Sequence, residues 1–206
     1  PAARGTRTAR RRCTPRRSEN NVTTMPQFVH LHVHSQYSIL DGQASIQRLV
    51  DKAMADGQPG IAITDHGDMF GIKEFYNYVK KVKGKLKDKA ADCEKRLEEL
   101  RGGEAGAAEI ADCEKQLAEL KRKLAFKPII GCEVYVARRR LHDKEGKPDQ
   151  SGYHLILLAK NLKGYHNLIK IVSKAWTEGF YMRPRTDRVE IEKYHEGLIC
   201  CSACLA

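Results

Sequence analysis

Phe28-Val29-His30-Leu31-His32-Val33-His34-Ser35 is the stretch on which the reading of this chain turns. Its three histidines alternate with apolar residues at a period of two. On a β-strand that spacing sets His30, His32 and His34 on one face and Val29, Leu31 and Val33 on the other. Such a strand is buried through its apolar face and offers a row of imidazole nitrogens on the other, and neutral imidazole is a common metal ligand. A strand over residues 28–33 that supplies a metal site is therefore the first expectation.

Downstream, strand and helix signals alternate. Residues 44–55 read as a helix with Ser45 as its N-cap and Ile46, Leu49, Val50 and Ala53 on one face. Residues 60–64 read as a short apolar strand that ends in Asp65-His66-Gly67-Asp68, and residues 74–83 as a helix. Residues 127–136 read as one long strand or a strand pair, 154–159 as a strand, 162–176 as a helix capped by Asn161, and 197–201 as a last strand. This order predicts an α/β fold with a parallel sheet and right-handed crossovers, barrel-like in form.

Residues 84–123 interrupt the rhythm. Residues 91–100 and 111–120 match at eight of ten positions, twenty residues apart. Cys93, Leu97 and Leu100 fall at i, i+4 and i+7, as do Cys113, Leu117 and Leu120, so each copy is a helix with a narrow apolar stripe. Gly102, Gly103 and Gly106 lie between the copies. The pattern predicts an antiparallel helical hairpin inserted into the domain, its stripes face to face and its two cysteines small core residues.

The chain has 206 residues and a formal net charge of +11. Seven arginines against Glu19 give residues 1–24 a net charge of +6 with almost no large apolar side chains, so this segment is expected to be disordered. Met25 is a plausible true start, which would leave residues 25–206 as a partial domain. No apolar run is long enough to span a bilayer and no secretory signal pattern occurs, so a soluble, cytoplasmic protein without a membrane partner is expected. Seven cysteines are an odd set, and Cys201 and Cys204 form a C-x-x-C with no second pair, which argues against both a disulfide framework and a zinc ribbon. Walker, G-x-G-x-x-G and G-x-S-x-G motifs are missing from the sequence.

Further candidates join the histidines. Asp65-His66 follows an apolar strand, where α/β folds place their active sites. Glu133 interrupts the apolar run Ile129-Ile130-Gly131-Cys132-Glu133-Val134-Tyr135-Val136. A buried carboxylate needs a cation, either a metal or a basic side chain. Asp41 reads as a turn residue, and His154 as a ligand or a satisfied core histidine. Imidazole and carboxylate donors suit zinc, manganese or iron, zinc or manganese best. Closely spaced ions suit phosphoester hydrolysis, one activating water and another stabilising the leaving oxygen.

His32-Val33-His34-Ser35, Thr64-Asp65-His66-Gly67, Gly131-Cys132-Glu133 and Tyr153-His154 resemble the successive motifs of the polymerase and histidinol phosphatase (PHP) superfamily. With Thr177-Glu178-Gly179-Phe180-Tyr181 and Ser202-Ala203-Cys204-Leu205-Ala206, the likeness extends to the PHP domain of bacterial replicative DNA polymerase alpha subunits, over nearly all of residues 26–206 apart from the hairpin insertion and the loop around residues 138–152. The resemblance implies a distorted (β/α)7 TIM-like barrel, C-terminally truncated here, with up to three divalent metals. Its ligands would be His32, His34, Asp41, His66, Glu133 as a bridging carboxylate, His154 and Cys204. Asp65 would orient a ligand, and Asp65 or His66 would assist proton transfer, while His30 would lie outside the cluster. A last Asp-x-His motif would follow beyond Ala206. The implied activity is a metal-dependent phosphoesterase of 3′→5′ exonuclease type within a DNA polymerase whose magnesium-binding palm domain this sequence lacks. The implied partners are DNA, the rest of the polymerase chain and other replisome subunits. The alternatives are a catalytically silent scaffold and a free-standing phosphatase. Tyr181, Arg183 and Arg185 form an aromatic-basic loop suited to nucleic acid.

Overall fold

The computed structural model describes residues 28–150 and 152–203. The basic segment 1–24 and Cys204 lie outside the described residues.

Helix α1 (Ile46–Ala55) starts where Ser45 accepts the backbone N–H of Arg48, and it buries Ile46, Val50, Ala53 and Met54. The i, i+4, i+7, i+8 spacing forms the core-facing stripe. Strand β1 (Gly60–Ile63) is buried at all four positions, as a strand covered on both faces requires. Helix α2 (Ile72–Gly102) and helix α3 (Ala107–Leu124) follow, then β2 (Lys127–Ala137), a short α4 (Gly146–Gln150) and β3 (Gly152–Ala159). Helix α5 (Leu162–Thr177), capped by Asn161, leads to β4 (Arg185–Thr186), α6 (Arg188–Tyr194) and β5 (Leu198–Ser202).

The sheet runs β1-β2-β3-β5, with β4 paired to β2. It is mixed rather than parallel. β2 is parallel to β1 and β4, while β3 is antiparallel to β2 and β5. The cause is the connection between β2 and β3. It carries only the five-residue α4, and parallel neighbours need a longer crossover to return the chain to the same end.

The histidine stretch is not a strand. It follows β1 through two bonds of 2.9 Å, from the N–H of Ala62 to the carbonyl of His30 and from the N–H of Thr64 to that of Val33. The N–H of Val33 goes to the hydroxyl of Thr64 at 2.9 Å instead of a backbone carbonyl, and the chain bends at Leu31 and His32. A side-chain acceptor has replaced a rung of the ladder, and the period of two gives way there, leaving Leu31 43% exposed.

Period-two alternation does organise β2 and β3. Cys132, Val134, Val136 and Leu157 pack against Leu168, Ile171 and Val172 of α5. Farther along the same face, α1 and the start of α2 cover β1 through Ile46, Val50, Phe75 and Val79, and Ile130 joins the two clusters. Ala62, Ile156 and Leu158 form a smaller cluster on the opposite sheet face. Glu133 and Tyr135 of β2 and His154 of β3 share the parity that points away from α5.

Helix α2 runs unbroken through Gly84 for 31 residues, so no boundary separates the expected helix at 74–83 from the striped repeat. Its second half packs on α3 through Ala90, Leu97, Cys113 and Leu117. The Sγ atoms of Cys93 and Cys113 lie 3.7 Å apart. Pairs of Arg96 with Glu109 and Lys121 with Glu94 flank the contact and show that the two helices run antiparallel. Among the described residues no helix is long and apolar enough to cross a membrane.

Candidate metal centre

Register places the central acid. Glu133 pairs with Ile156 and Tyr135 with His154, so His154 sits diagonally across from Glu133 on the same face. On the other edge of β2, the N–H of Glu133 donates to the carbonyl of Asp65 at 3.0 Å, and its carbonyl accepts the N–H of Gly67 at 2.8 Å. These two bonds clamp His66 beside Glu133, just past the carboxyl end of β1. Gly67 has φ 63°, and a Cβ there would meet Pro184 at 2.7 Å and the Tyr135 ring at 3.0 Å. Only glycine gives the backbone both that conformation and that space.

The turn after His34 delivers Asp41. The N–H groups of Asp41 and Gly42 donate to the carbonyl of Ser38 at 3.1 and 2.7 Å. A Cβ on Gly42 would stand 1.8 Å from the carbonyl oxygen of Ser35, so the loop closes only around glycine. Asp41 Oδ2 then reaches His66 Nε2 at 2.9 Å.

Four imidazoles surround Glu133, which is 1% exposed. Its Oε2 lies 3.5 Å from His32 Nε2, 3.2 Å from His34 Nε2 and 2.8 Å from His66 Nδ1. Its Oε1 lies 2.8 Å from His154 Nδ1. Two overlapping sets of donor atoms result, His32, His34 and Glu133 in one and His34, Asp41 and His66 in the other. Despite their closeness, Glu133 Oε2 and His66 Nδ1 are both buried without a hydrogen bond of sound geometry. Buried polar atoms left this way are costly. Ligands about 2.0–2.2 Å from one tetrahedral ion stand roughly 3.3–3.6 Å from each other, which is the scale of the His32 and His34 separations from Glu133. The donor set therefore fits divalent cations.

Electrostatics agree. Burial pushes the Glu133 carboxyl up, but contact with His34 and the charges of His66 and His154 outweigh it and hold the group at about 2. The adjacent Glu133 carboxylate raises His34, and His66 lowers Asp41. A carboxylate this firmly ionised among nitrogen donors suits a cation in charge as well as in shape.

Asp65 takes a different place from His66. It is 2% exposed, and its oxygens accept from the N–H of Ser35 at 2.6 Å, the hydroxyl of Ser35 at 2.7 Å and the hydroxyl of Ser38 at 2.8 Å. It lies beneath the cluster rather than in it, so proton transfer to a substrate does not suit its position. His30 is exposed and edge-on to Phe28, outside the cluster.

The three residues expected to touch nucleic acid separate. Arg185 is fully buried and donates to the carbonyls of Gly179, Leu141, Asp143 and Asp149 at 2.8–3.2 Å. It is a strut for the loop after β2, not a DNA contact. Tyr181 is half-buried, with the Arg185 guanidinium 5.5 Å from its ring centre. Arg183 is exposed, donates to the Tyr135 hydroxyl at 2.9 Å, and lines the groove that contains His66 and Asp41. Ser35, Ser38 and Tyr135 escaped the sequence reading. Tyr135 was accessible to it, since it stands two residues after Glu133 in a strand and so shares its face.

A PHP domain family model matches residues 30–206. The chain is 41% identical over 180 residues to the DNA polymerase III subunit alpha of Treponema pallidum, and 39% identical over 180 residues to that of Borreliella burgdorferi. It is 37% identical over 183 residues to that of Thermus aquaticus. Each alignment covers 87% of this chain and 12% of the relative, so the chain spans about an eighth of the length of these proteins. With its histidines and central glutamate on the matched stretch, the chain belongs to the PHP domain family.

Proposed function

We propose that this domain is a metal-dependent phosphoesterase of 3′→5′ exonuclease type and a segment of a DNA polymerase III alpha subunit. The observation that carries the reading is the convergence of His32, His34 and His66 on one buried oxygen of Glu133, with His154 on the other. In this reading the sheet is part of a distorted (β/α)7 barrel, the α2–α3 hairpin is an insertion on it, and Cys204 adds a thiolate ligand. Bound zinc or manganese, in up to three positions, supplies Lewis-acid polarisation of the phosphodiester and lowers the pKa of water.

The chain's own residues do the rest. Glu133 offers its two oxygens to different imidazoles, the arrangement of a carboxylate shared between cations. His32 and His34 fix one side of the site, and His154 the other. Asp41 and His66 form its solvent-facing edge, where side-chain exposures of 55% and 24% leave room for substrate. His66 is placed to hold or pass a proton there, and Arg183 to meet phosphate oxygens at the rim. The polymerase parentage rests on the 37–41% identities and implies DNA, the remainder of the alpha chain and replisome subunits as cytoplasmic partners, with magnesium in a separate polymerase domain.

The test is release of nucleotides from the 3′ end of a primed DNA in manganese or zinc, beside elemental analysis. Activity and bound metal should both be lost in a His32→Ala/His34→Ala variant, and activity should vanish with chelator. Equal metal content in parent and variant would overturn the reading. Metal binding without nucleotide release would leave a structural PHP scaffold.

A further inference from the structure

A groove of about 930 Å³ meets the cluster at its Asp41 and His66 edge and continues beyond it along a wall of Phe70, Trp176, Phe180, Met182 and Arg183. Trp176 and Phe180 are stacked with ring centres 5.6 Å apart, and Phe70 tilts against Trp176 at 5.8 Å. The three side chains are 62% (Phe70), 41% (Trp176) and 46% (Phe180) exposed. A row of large rings left open to water is unfavourable and marks a contact surface. Hydrolysis of a small phosphate ester at the cluster makes no use of it.

The wall is also fixed. The indole N–H of Trp176 donates to the carbonyl of Gly67 at 2.8 Å, which ties the ring to the residue after His66. Met182 has φ 61°, a conformation that non-glycine residues seldom adopt, and strain of this kind gathers at functional sites. The Tyr181 N–H closes the turn on the carbonyl of Arg183 at 3.0 Å. That turn sets the Arg183 guanidinium 4.9 Å from the centre of the Tyr135 ring, where it spends one donor on the Tyr135 hydroxyl. A planar cation with five N–H donors keeps others for phosphate.

We infer that Phe70, Trp176 and Phe180 form a stacking platform for unpaired nucleobases, which lays the frayed end of a nucleic-acid strand across the groove with its terminal phosphodiester at the cluster. The inference rests on the phosphoesterase reading and deepens it. It adds to that reading a subsite that takes the bases of the strand unpaired. Stacking is tolerant of sequence because every base presents a π-face. A protein segment is the other candidate for an apolar surface. The favoured occupant is nucleic acid because the wall is continuous with the cation cluster and carries Arg183 between the two. Asp41 and Asp68 also line the groove and oppose phosphate until cations are bound.

Trp176 is the chain's sole tryptophan, so its fluorescence reports directly on the platform. The experiment titrates the 206-residue chain with a short oligothymidylate and with an abasic oligomer of equal length, in EDTA and again in manganese. Thymidylate should quench the emission saturably, the abasic strand should bind at least tenfold more weakly, and Phe180→Ala or Phe70→Ala should raise Kd roughly five- to thirtyfold. Melting temperatures of the variants confirm that they fold. Equal affinity for the abasic strand, a folded variant with undiminished affinity, or no quenching in either condition overturns the platform. Base-dependent quenching without nucleotide release in manganese would leave the platform standing and sink the phosphoesterase reading. Release without base dependence would do the converse.

Discussion

Ser38 Oγ lies 3.1 Å from Nδ1 of His34. The Ser38 hydroxyl proton is committed to Asp65 at 2.8 Å, so the serine oxygen faces the histidine as an acceptor. His34 then keeps a proton on Nδ1, and Nε2, which faces Glu133 and His32, is the nitrogen that can exchange its proton for a cation. The same serine oxygen accepts the backbone N–H of His66 at 3.2 Å. Asp65 thus acts through Ser38 on two of the proposed ligands at once, fixing the tautomer of one and the backbone of the other. Groups in this position typically set metal affinity by about 10–100-fold. Ser38→Ala and Asp65→Asn should each weaken zinc binding by about that factor, measured by competition with a chelating dye. Parental affinity in both variants would show that the hydroxyl does not prepare His34.

Metal should also report through stability. If Glu133 is the shared ligand, saturating the site at 100 times Kd adds about 2.7 kcal/mol to folding. For a domain of this size that is a rise in Tm of roughly 5–11 °C. Scanning calorimetry with and without zinc should show the rise in the parent and little or none in Glu133→Gln. A rise of the same size in the variant would place the metal elsewhere.

Much of this was legible in the letters, and the failures have local causes. α1, β1 and α5 announce themselves through Ser45, Asn161 and apolar periodicity, because their packing follows their own spacing. Glu133 was conspicuous as a charge inside an apolar run, and His154 shares its face by strand parity. The histidine stretch misled because Thr64, more than thirty residues away, takes the N–H of Val33 and ends the ladder. The sheet was expected to be parallel because strands and helices alternate along the chain, yet the connection between β2 and β3 lacks the crossover helix that direction demands. Arg185 looked like a surface base. Only the fold reveals four carbonyls waiting for it. No window of sequence contains that information, since two of the four, Leu141 and Asp143, lie more than forty residues upstream.

Acid should loosen the domain at Asp187. Its side chain is fully buried, caps α6 through the N–H of Glu190 at 2.9 Å, and accepts from the N–H of Leu141 at 3.0 Å and the Arg140 guanidinium at 2.8 Å. Burial raises the carboxyl, but the Glu190 N–H, Arg140 and the Leu141 N–H outweigh it and depress the group below its ordinary range. A depressed folded-state pKa means that the contribution is fully present above the unfolded pKa. It is lost as pH falls toward the folded value. Asp187→Asn should therefore cost about 1–3 kcal/mol at pH 7, and the gap from the parent should close below about pH 4. Urea denaturation of both proteins between pH 7 and pH 3 measures it. A gap that stays constant over that range would remove ionised Asp187 from the account.

Arg183 and Arg185 stand two residues apart and should fail in opposite ways. Arg185→Leu strips the buried carbonyls of Gly179, Leu141 and Asp149 and the half-buried one of Asp143 of their shared donor. Buried acceptors left unpaired cost about 1–3 kcal/mol each when water cannot reach them. Relaxation recovers part of that sum, and a net loss of about 3–5 kcal/mol is expected, with the loop after β2 becoming protease-sensitive. Arg183→Ala removes one exposed contact with Tyr135, worth about 0.5–1 kcal/mol. Denaturant midpoints of the two variants, read beside limited proteolysis of residues 138–150, separate the roles. Equal losses of stability would mean that the buried guanidinium is no more a strut than the exposed one.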